Sequence, residues 1–329
     1  MKRTLAHICY NVMGLKAIIS FASRFYLMRL SYIILFALMI CHGVVFAQQK
    51  PPLLAFASDT QEPMWVEKLF LKADHNLEAT QMIFKEVGAR RPQAFFILGD
   101  VVSSGKKARA WKNIDLYMGQ ASKDSIPVYA TLGNHDVMFN AKKGMKNFKT
   151  RFPTYEPTGF TVVVDSVAVV LLNSNFGAMS ADDISKQNSW YKQKLKDLDA
   201  DPAIKLILVG CHHSPYTNSK IVKPSVQVQQ YFVEPFLASA KCALFLSGHS
   251  HNYEQFKVNG KDFVVIGGGG GLHQDVRPNN DVMNDVAADY KPIFHYLEIR
   301  RQGTTLDVLS RKLTPDFTAF ADGLRFEVK

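Results

Sequence analysis

Between residues 53 and 251 the sequence repeats one device. A short apolar run ends in a residue able to hold a metal ion. The run at 53–57 leads to Asp59, and the run at 94–98 to Gly99-Asp100. The run at 127–132 leads to Gly133-Asn134-His135-Asp136. The run at 204–210 ends at Cys211-His212-His213, and the run at 243–247 at Gly248-His249-Ser250-His251. Apolar runs of this length, bounded by polar or turn residues, read as buried strands. Open α/β sheets gather their functional residues at the carboxyl ends of such strands. The pattern therefore predicts an α/β fold with one polar site at the strand ends.

The intervening segments fit that plan. Residues 77–87 and 107–118 carry helical periodicity, and residues 189–198 read as an amphipathic helix. Runs at 160–164 and 167–173 flank Asp165-Ser166, a hairpin turn. Asn259-Gly260 and Gln302-Gly303 mark two more hairpins. The five glycines at 267–271 read as a flexible turn; a loop closing over the cleft is the sharper alternative. His75, His273 and His295 read as structural, and Trp65, Trp111 and Trp190 as core or helix-packing residues. Tyr216 and Asn218 are candidates to line a substrate pocket.

Each strand-end signal is weak alone. An aspartate after a strand is commonly a cap or turn residue, and a lone histidine is commonly a hydrogen-bonded structural one. The pair His249/His251 is stronger, because alternate positions can aim two imidazoles at neighbouring metals. Five of the ten histidines, at 135, 212, 213, 249 and 251, fall just after an apolar run. That clustering favours a metal centre.

Taken in order, the stretches Ser58-Asp59-Thr60-Gln61, Gly99-Asp100, Gly133-Asn134-His135-Asp136, His212-His213-Ser214-Pro215 and Gly248-His249-Ser250-His251 resemble the calcineurin-like metallophosphoesterases. Residues 213–219 and 248–254 look most like the purple acid phosphatase branch. The resemblance implies a sandwich of two mixed β-sheets flanked by helices. It implies two divalent or trivalent ions, drawn from Mn, Fe, Zn and Mg. Asp59, Gln61, Asp100 and His251 would hold one. Asp100, Asn134, His213 and His249 would hold the other, with Asp100 bridging. A hydroxide shared by the metals would attack phosphorus. His135 would protonate the leaving group, with Asp136 orienting its ring. Asn134, His135 and His212 would contact the substrate. His212 in place of His213 as the ligand is the alternative. Two residues depart from the pattern: Gln61 stands where most members have histidine, and Ser103 where the branch has a metal-binding tyrosine.

The expected function is hydrolysis of phosphate esters, of monoesters first. The alternatives are a phosphodiesterase on the same metal core and a non-catalytic binding protein on a degenerate phosphoesterase fold. The substrate would be a phosphorylated small molecule or protein.

Charge argues against nucleic acid as a partner. Five of the ten net positive charges fall in the first 47 residues, which carry Lys2, Arg3, Lys16, Arg24 and Arg29 and no acid. The remainder carries +5, with no basic run interleaved with aromatics. The pairs Arg90-Arg91, Lys106-Lys107 and Arg300-Arg301 read as solvated surface. Residues 1–47 read as a signal segment: Arg29 precedes an apolar stretch at 30–41, and Val45-Phe46-Ala47 supplies small residues at cleavage spacing. Met28 is a candidate true start, and residues 48–329 form the enzyme domain. Export to the periplasm or outside the cell is expected. The alternatives are an uncleaved membrane anchor, with His42-Gly43 interrupting the run, and a lipid on Cys41. Cys211 and Cys242 read as buried free thiols rather than a disulfide.

Overall fold

A computed structural model describes residues 53–64, 66–69, 75–278 and 283–329. The expected signal segment, the start at Met28, Cys41 and Trp65 lie outside the described residues. Among the described residues no helix is long and apolar enough to cross a membrane.

Two six-stranded mixed sheets carry the fold. The first contains β1 (Leu54–Ala57), β2 (Ala94–Ile97) and β3 (Val128–Ala130), all parallel. The second begins with the hairpin β4 (Phe160–Val164) and β5 (Val167–Leu171), whose turn residue Asp165 has φ 56°. It continues in parallel through β6 (Leu206–Gly210) and β7 (Cys242–Ser247). The hairpin β8 (Tyr253–Val258) and β9 (Lys261–Ile266) closes it, with β9 against β7. The chain then returns to the first sheet as β10 (His295–Gln302), β11 (Thr305–Leu313) and β12 (Phe320–Val328). The strand orders are β12-β11-β10-β1-β2-β3 and β4-β5-β6-β7-β9-β8.

Period-2 alternation explains why the central strands read as unbroken apolar runs. On β5, Val167, Val169 and Leu171 enter the core between the sheets, beside Phe56, Phe96 and Leu246. Ala168 and Val170 face the opposite way, into a second core with Tyr191, Leu195, Phe232 and Phe236. A strand buried on both faces needs apolar residues at every position.

Five helices matter for the site: α1 (Asn76–Arg90), α2 (Lys112–Lys123), α3 (Asn134–Val137), α4 (Ala141–Arg151) and α5 (Ala181–Ala200). The helix expected at 189–198 starts two turns earlier. Ser180 caps it, its Oγ accepting from Asp183 N at 3.1 Å, a start signal present in the sequence. The region expected as a helix at 107–118 opens instead as a 3₁₀ turn (Ala108–Trp111) and becomes α-helical only at Lys112. Cys211 and Cys242 are buried and free, as expected.

Candidate metal centre

Asp59 and Asp100 follow β1 and β2 of the first sheet, and Asn134 opens α3 after β3. His212 and His249 follow β6 and β7 of the second. The two sheets thus bring their carboxyl ends to one place. Asp59 and His249 bridge them: the His249 amide donates to Asp59 Oδ2 at 3.0 Å. The Gly248 amide donates to the His212 carbonyl at 2.9 Å, tying the two histidine loops together.

Backbone strain collects here. Asp59 (φ 59°), Asp100 (φ 48°) and His249 (φ 67°) are all left-handed. Such conformations cost energy in a non-glycine residue and are held only where the surroundings enforce them, as at functional sites. Gly248 shows the crowding, because a Cβ there would collide with Ser58 Oγ and Asp59 Oδ2.

Two groups of ligand atoms lie within 4.8 Å of one another: Asp59, Asp100 and His212, and His212, His213 and His249. His212 belongs to both. Its Nε2 lies 3.0 Å from Asn134 Oδ1 and 3.3 Å from Asp100 Oδ2, and its Nδ1 lies 3.0 Å from the Leu98 carbonyl. On the first sheet's side, His251 Nε2 lies 3.3 Å from Asp59 Oδ1, and its Nδ1 lies 2.8 Å from the Leu272 carbonyl. Gln61 faces the same point: its amide oxygen lies 3.3 Å from His251 Nε2, while its NH₂ donates to the carbonyls of Asp100 (2.9 Å) and Asp59 (3.1 Å).

Charges in the cluster act strongly on one another. Burial opposes ionisation of Asp100, but His212 and His135 outweigh it and hold the carboxyl well below its ordinary range. Burial opposes protonation of His212 too, yet Asp100 carries that ring up to about 9. Burial and then the charge on His212 push His213 down to about 3. Burial, then His213 and His212, push His249 well below the usual value. Burial opposes protonation of His251 as well, and its hydrogen bond to Asp59 raises it.

Two expected roles differ from the geometry. Asp136 does not orient the His135 ring. Its carboxylate accepts the backbone amides of Gly133 (2.9 Å), Val102 (3.2 Å) and Val101 (3.3 Å), so it fixes the loops carrying Asp100 and Asn134. Burial and the Asp100 charge push its pKa up to about 7, against those amides. The His135 Nδ1 faces the Ser103 carbonyl instead, at 3.4 Å. Of the two neighbouring histidines, His212 is the one that faces Asp100 and Asn134. His213 turns its Nδ1 to Ser174 Oγ at 2.9 Å and stacks its ring beside His249, with centroids 4.5 Å apart.

The glycine run is a packed crosspiece beneath the site, not a flexible turn or a lid. Gly269 N and Gly271 N donate to the carbonyls of Ser58 and Asp59 at 2.9 Å each. Asn76 Nδ2 donates to the Gly270 carbonyl at 2.8 Å, and Thr80 Oγ1 to that of Gly269 at 2.9 Å. A Cβ on Gly271 would lie 2.6 Å from the His251 ring. Tyr216 packs against Phe256 and Phe263. Asn218 is buried, its Nδ2 donating to the Met283 carbonyl at 2.7 Å.

The family model of the calcineurin-like phosphoesterases matches residues 53–253, which span every strand-end residue above. The chain belongs to the calcineurin-like phosphoesterase family. Solved structures share this fold at low identity. A purple acid phosphatase from yellow lupin (Lupinus luteus) seeds aligns with a TM-score of 0.60 and 14% identity, over 83% of this chain and 53% of that one. The chain thus spans about half the length of the lupin protein. The Plasmodium protein GAP50, an anchor in the inner membrane complex, aligns at 0.56 and 15%, over 82% and 87%. A dimetal phosphatase from Danio rerio aligns at 0.52 and 12%, over 82% and 98%. Among curated protein sequences there is no match.

The residues gathered at the site fit divalent ions. Asp100 Oδ2 is buried and has no hydrogen-bond partner. It points between the His212 Nε2 at 3.3 Å and the His135 Nε2 at 3.8 Å. Without a metal ion only the charge on His212 and His135 offsets that buried anionic oxygen, and a cation bound there would take over that role. Mixed carboxylate, amide and imidazole donors suit divalent first-row metals and magnesium.

Proposed function

We propose that the protein is a metal-dependent hydrolase of phosphate esters, acting first on monoesters. The observation that carries this reading is the orphaned Asp100 Oδ2, buried where the ends of both sheets meet. In this reading Asp59, Gln61, Asp100 and His251 hold one ion. Asp100, Asn134, His212 and His249 hold the other, with His213 beside them. His212 takes the place first given to His213, supported by its approach to Asp100 and Asn134.

Two ions bound there would neutralise phosphate charge and make an attacking water available near neutral pH. The chain's own residues do the rest. Asp100 would be a ligand to both ions, and the amides collected by Asp136 hold its loop in register. His135, with Nδ1 held toward the Ser103 carbonyl, presents Nε2 to the leaving alkoxide and gives it a proton. Asn134 and His213 contact the phosphate oxygens. The substrate is a phosphorylated small molecule or protein, and the enzyme works outside the cytoplasm, a location supported by the pattern at residues 28–47.

Metal analysis with a panel of mono- and diesters tests the reading. Activity should vanish with a chelator and return with Mn²⁺, and monoesters should be hydrolysed fastest. Diester preference would favour the phosphodiesterase reading. Tight metal binding with no hydrolysis of either class would favour a binding protein. N-terminal sequencing of the native protein should find Gln48 first; an intact N-terminus in the membrane fraction would favour an anchor.

A further inference from the structure

Phe139 is out of place as a structural residue. It sits in the three-residue junction between α3 and α4 with φ 65°, a conformation glycine or asparagine adopts more readily. Its side chain is 70% exposed. Phe317 shares the strain (φ 55°) but packs its ring against His75 and Phe294. Among the described residues the Phe139 ring packs against no other ring and meets the Lys106 ammonium, 5.0 Å from its centroid. Backbone strain with no packing to offset it points to a functional demand.

The position of Phe139 supplies that demand. It follows His135 by four residues, two beyond the end of α3. Lys106 reaches it from the loop whose Gly105 amide donates to the His135 carbonyl at 3.1 Å. The opposite side carries two exposed apolar residues beside a carboxylate. Glu67 Oε1 lies 3.9 Å from His135 Nε2, and Glu67 Oε2 accepts the Met64 amide at 2.6 Å. These contacts place the turn that holds Val66 and Leu69 at the same mouth, both exposed. Three exposed apolar residues therefore lie on the segments next to the histidine assigned to the leaving group.

We propose that the His135 side of the cleft is a subsite for the alcohol portion of the ester, and that it selects apolar, aromatic-bearing alcohols over polyols. Phe139 offers a ring face, which Lys106 holds in place from the other side. Val66 and Leu69 cover the far edge of the alcohol. This inference rests on the phosphoesterase reading and on His135 marking the leaving-group side.

The test uses the Mn²⁺-loaded full chain. Benzyl phosphate and glycerol phosphate are compared as substrates, and benzylphosphonate and methylphosphonate as non-hydrolysable ligands in calorimetry. The wild-type protein should favour the benzyl compound by about 10-fold in both pairs, the scale of burying a phenyl group. Phe139→Asn keeps the left-handed backbone comfortable and removes the ring, so its melting temperature should not fall. It should shrink both ratios by about 3- to 10-fold. Leu69→Ser should shrink them in the same direction. Ratios near one in the wild type, or ratios untouched by either variant, would overturn the subsite. Tight benzylphosphonate binding lost in Phe139→Asn, without hydrolysis of any ester, would keep the subsite and remove the phosphoesterase reading. Binding of neither phosphonate would remove both.

Discussion

His212 and His213 are adjacent in sequence, yet one faces both sheets' ligands and the other does not. The cause is the strand end. The chain leaves β6 at Gly210, and consecutive side chains then point in opposite directions. His212 points inward, toward Leu98, Asp100 and Asn134, while His213 points toward Ser174 and His249. Sequence pattern favoured His213 because the residues after it resemble a branch motif. Pattern carries no information on which of two neighbours turns inward. The two alanine variants separate them. His212→Ala should lower affinity for a divalent ion by about 10- to 100-fold or more, measured by metal titration, since it removes an inner ligand. His213→Ala should keep the metal and raise KM. Equal loss of metal in both variants would return His213 to the ligand set. His295 makes a separate prediction, for acid stability. Burial, and then the charge on His273, push its pKa down to about 3. An unfolded histidine titrates near 6.5. As pH falls from 6.5 toward 3, the unfolded chain takes up a proton that the folded one refuses, so stability is lost across that window. Denaturant titrations of metal-free His295→Asn should show an acid loss smaller by on the order of 2–4 kcal/mol. An unchanged acid slope would mean that His295 is protonated in the fold.

At the scale of elements, the strands that end in ligands were the legible part. β1, β2, β6 and β7 all fall where continuous apolar runs place them, because burial on both faces leaves little choice of residue. The hairpin at Asn259-Gly260 is equally plain: both residues are left-handed, with φ 49° and 78°. β12 went unread because it is an edge strand, with residues such as Asp322, Gly323 and Arg325 that carry no strong periodicity. The glycine run was misread for a different reason. Its residues are required by close approach to Ser58, Thr80, His251 and His295, neighbours distant in sequence. Glu254 on β8 is another long-range tie. Its carboxylate accepts Thr217 Oγ1 and the Asn218 amide at 2.5 Å each, and Ser250 Oγ at 3.4 Å. It joins the loop after β6 to the loop carrying His249 and His251. Glu254→Ala should cost roughly 1–3 kcal/mol in denaturant unfolding, because two buried donors lose their acceptor. It should also weaken metal binding without removing a ligand. Glu254→Gln keeps one acceptor oxygen and should fall between. If metal affinity is unchanged in both, the loops hold their geometry without this tie.

The whole molecule is two sheets whose shared feature is the site. The first supplies Asp59, Gln61, Asp100 and Asn134, and the second His212, His249 and His251. Without a metal ion, burial and the charge on His212 keep His213 and His249 neutral, while Asp100 raises His212 to about 9 and three imidazoles share one positive charge. Ions bound between the sheets should relieve this frustration and clamp the two halves at once. A ligand that binds only the folded state adds RT ln(1 + [L]/Kd) to its stability, about 2.7 kcal/mol at a hundred times Kd. For a domain of this size that corresponds to a rise in melting temperature of roughly 5 °C. Thermal melts with Mn²⁺ and with a chelator should differ by that order, and the shift should grow with metal concentration. Asp100→Asn removes the carboxylate on which both ions depend, so its melts with metal and with chelator should coincide. Its metal-free melt should be lower than the wild type's, because the ionised carboxylate also pairs with His212 and accepts the His135 amide. A metal-induced shift that survives in Asp100→Asn would place the bound ions elsewhere and dissolve the link between this site and the sandwich around it.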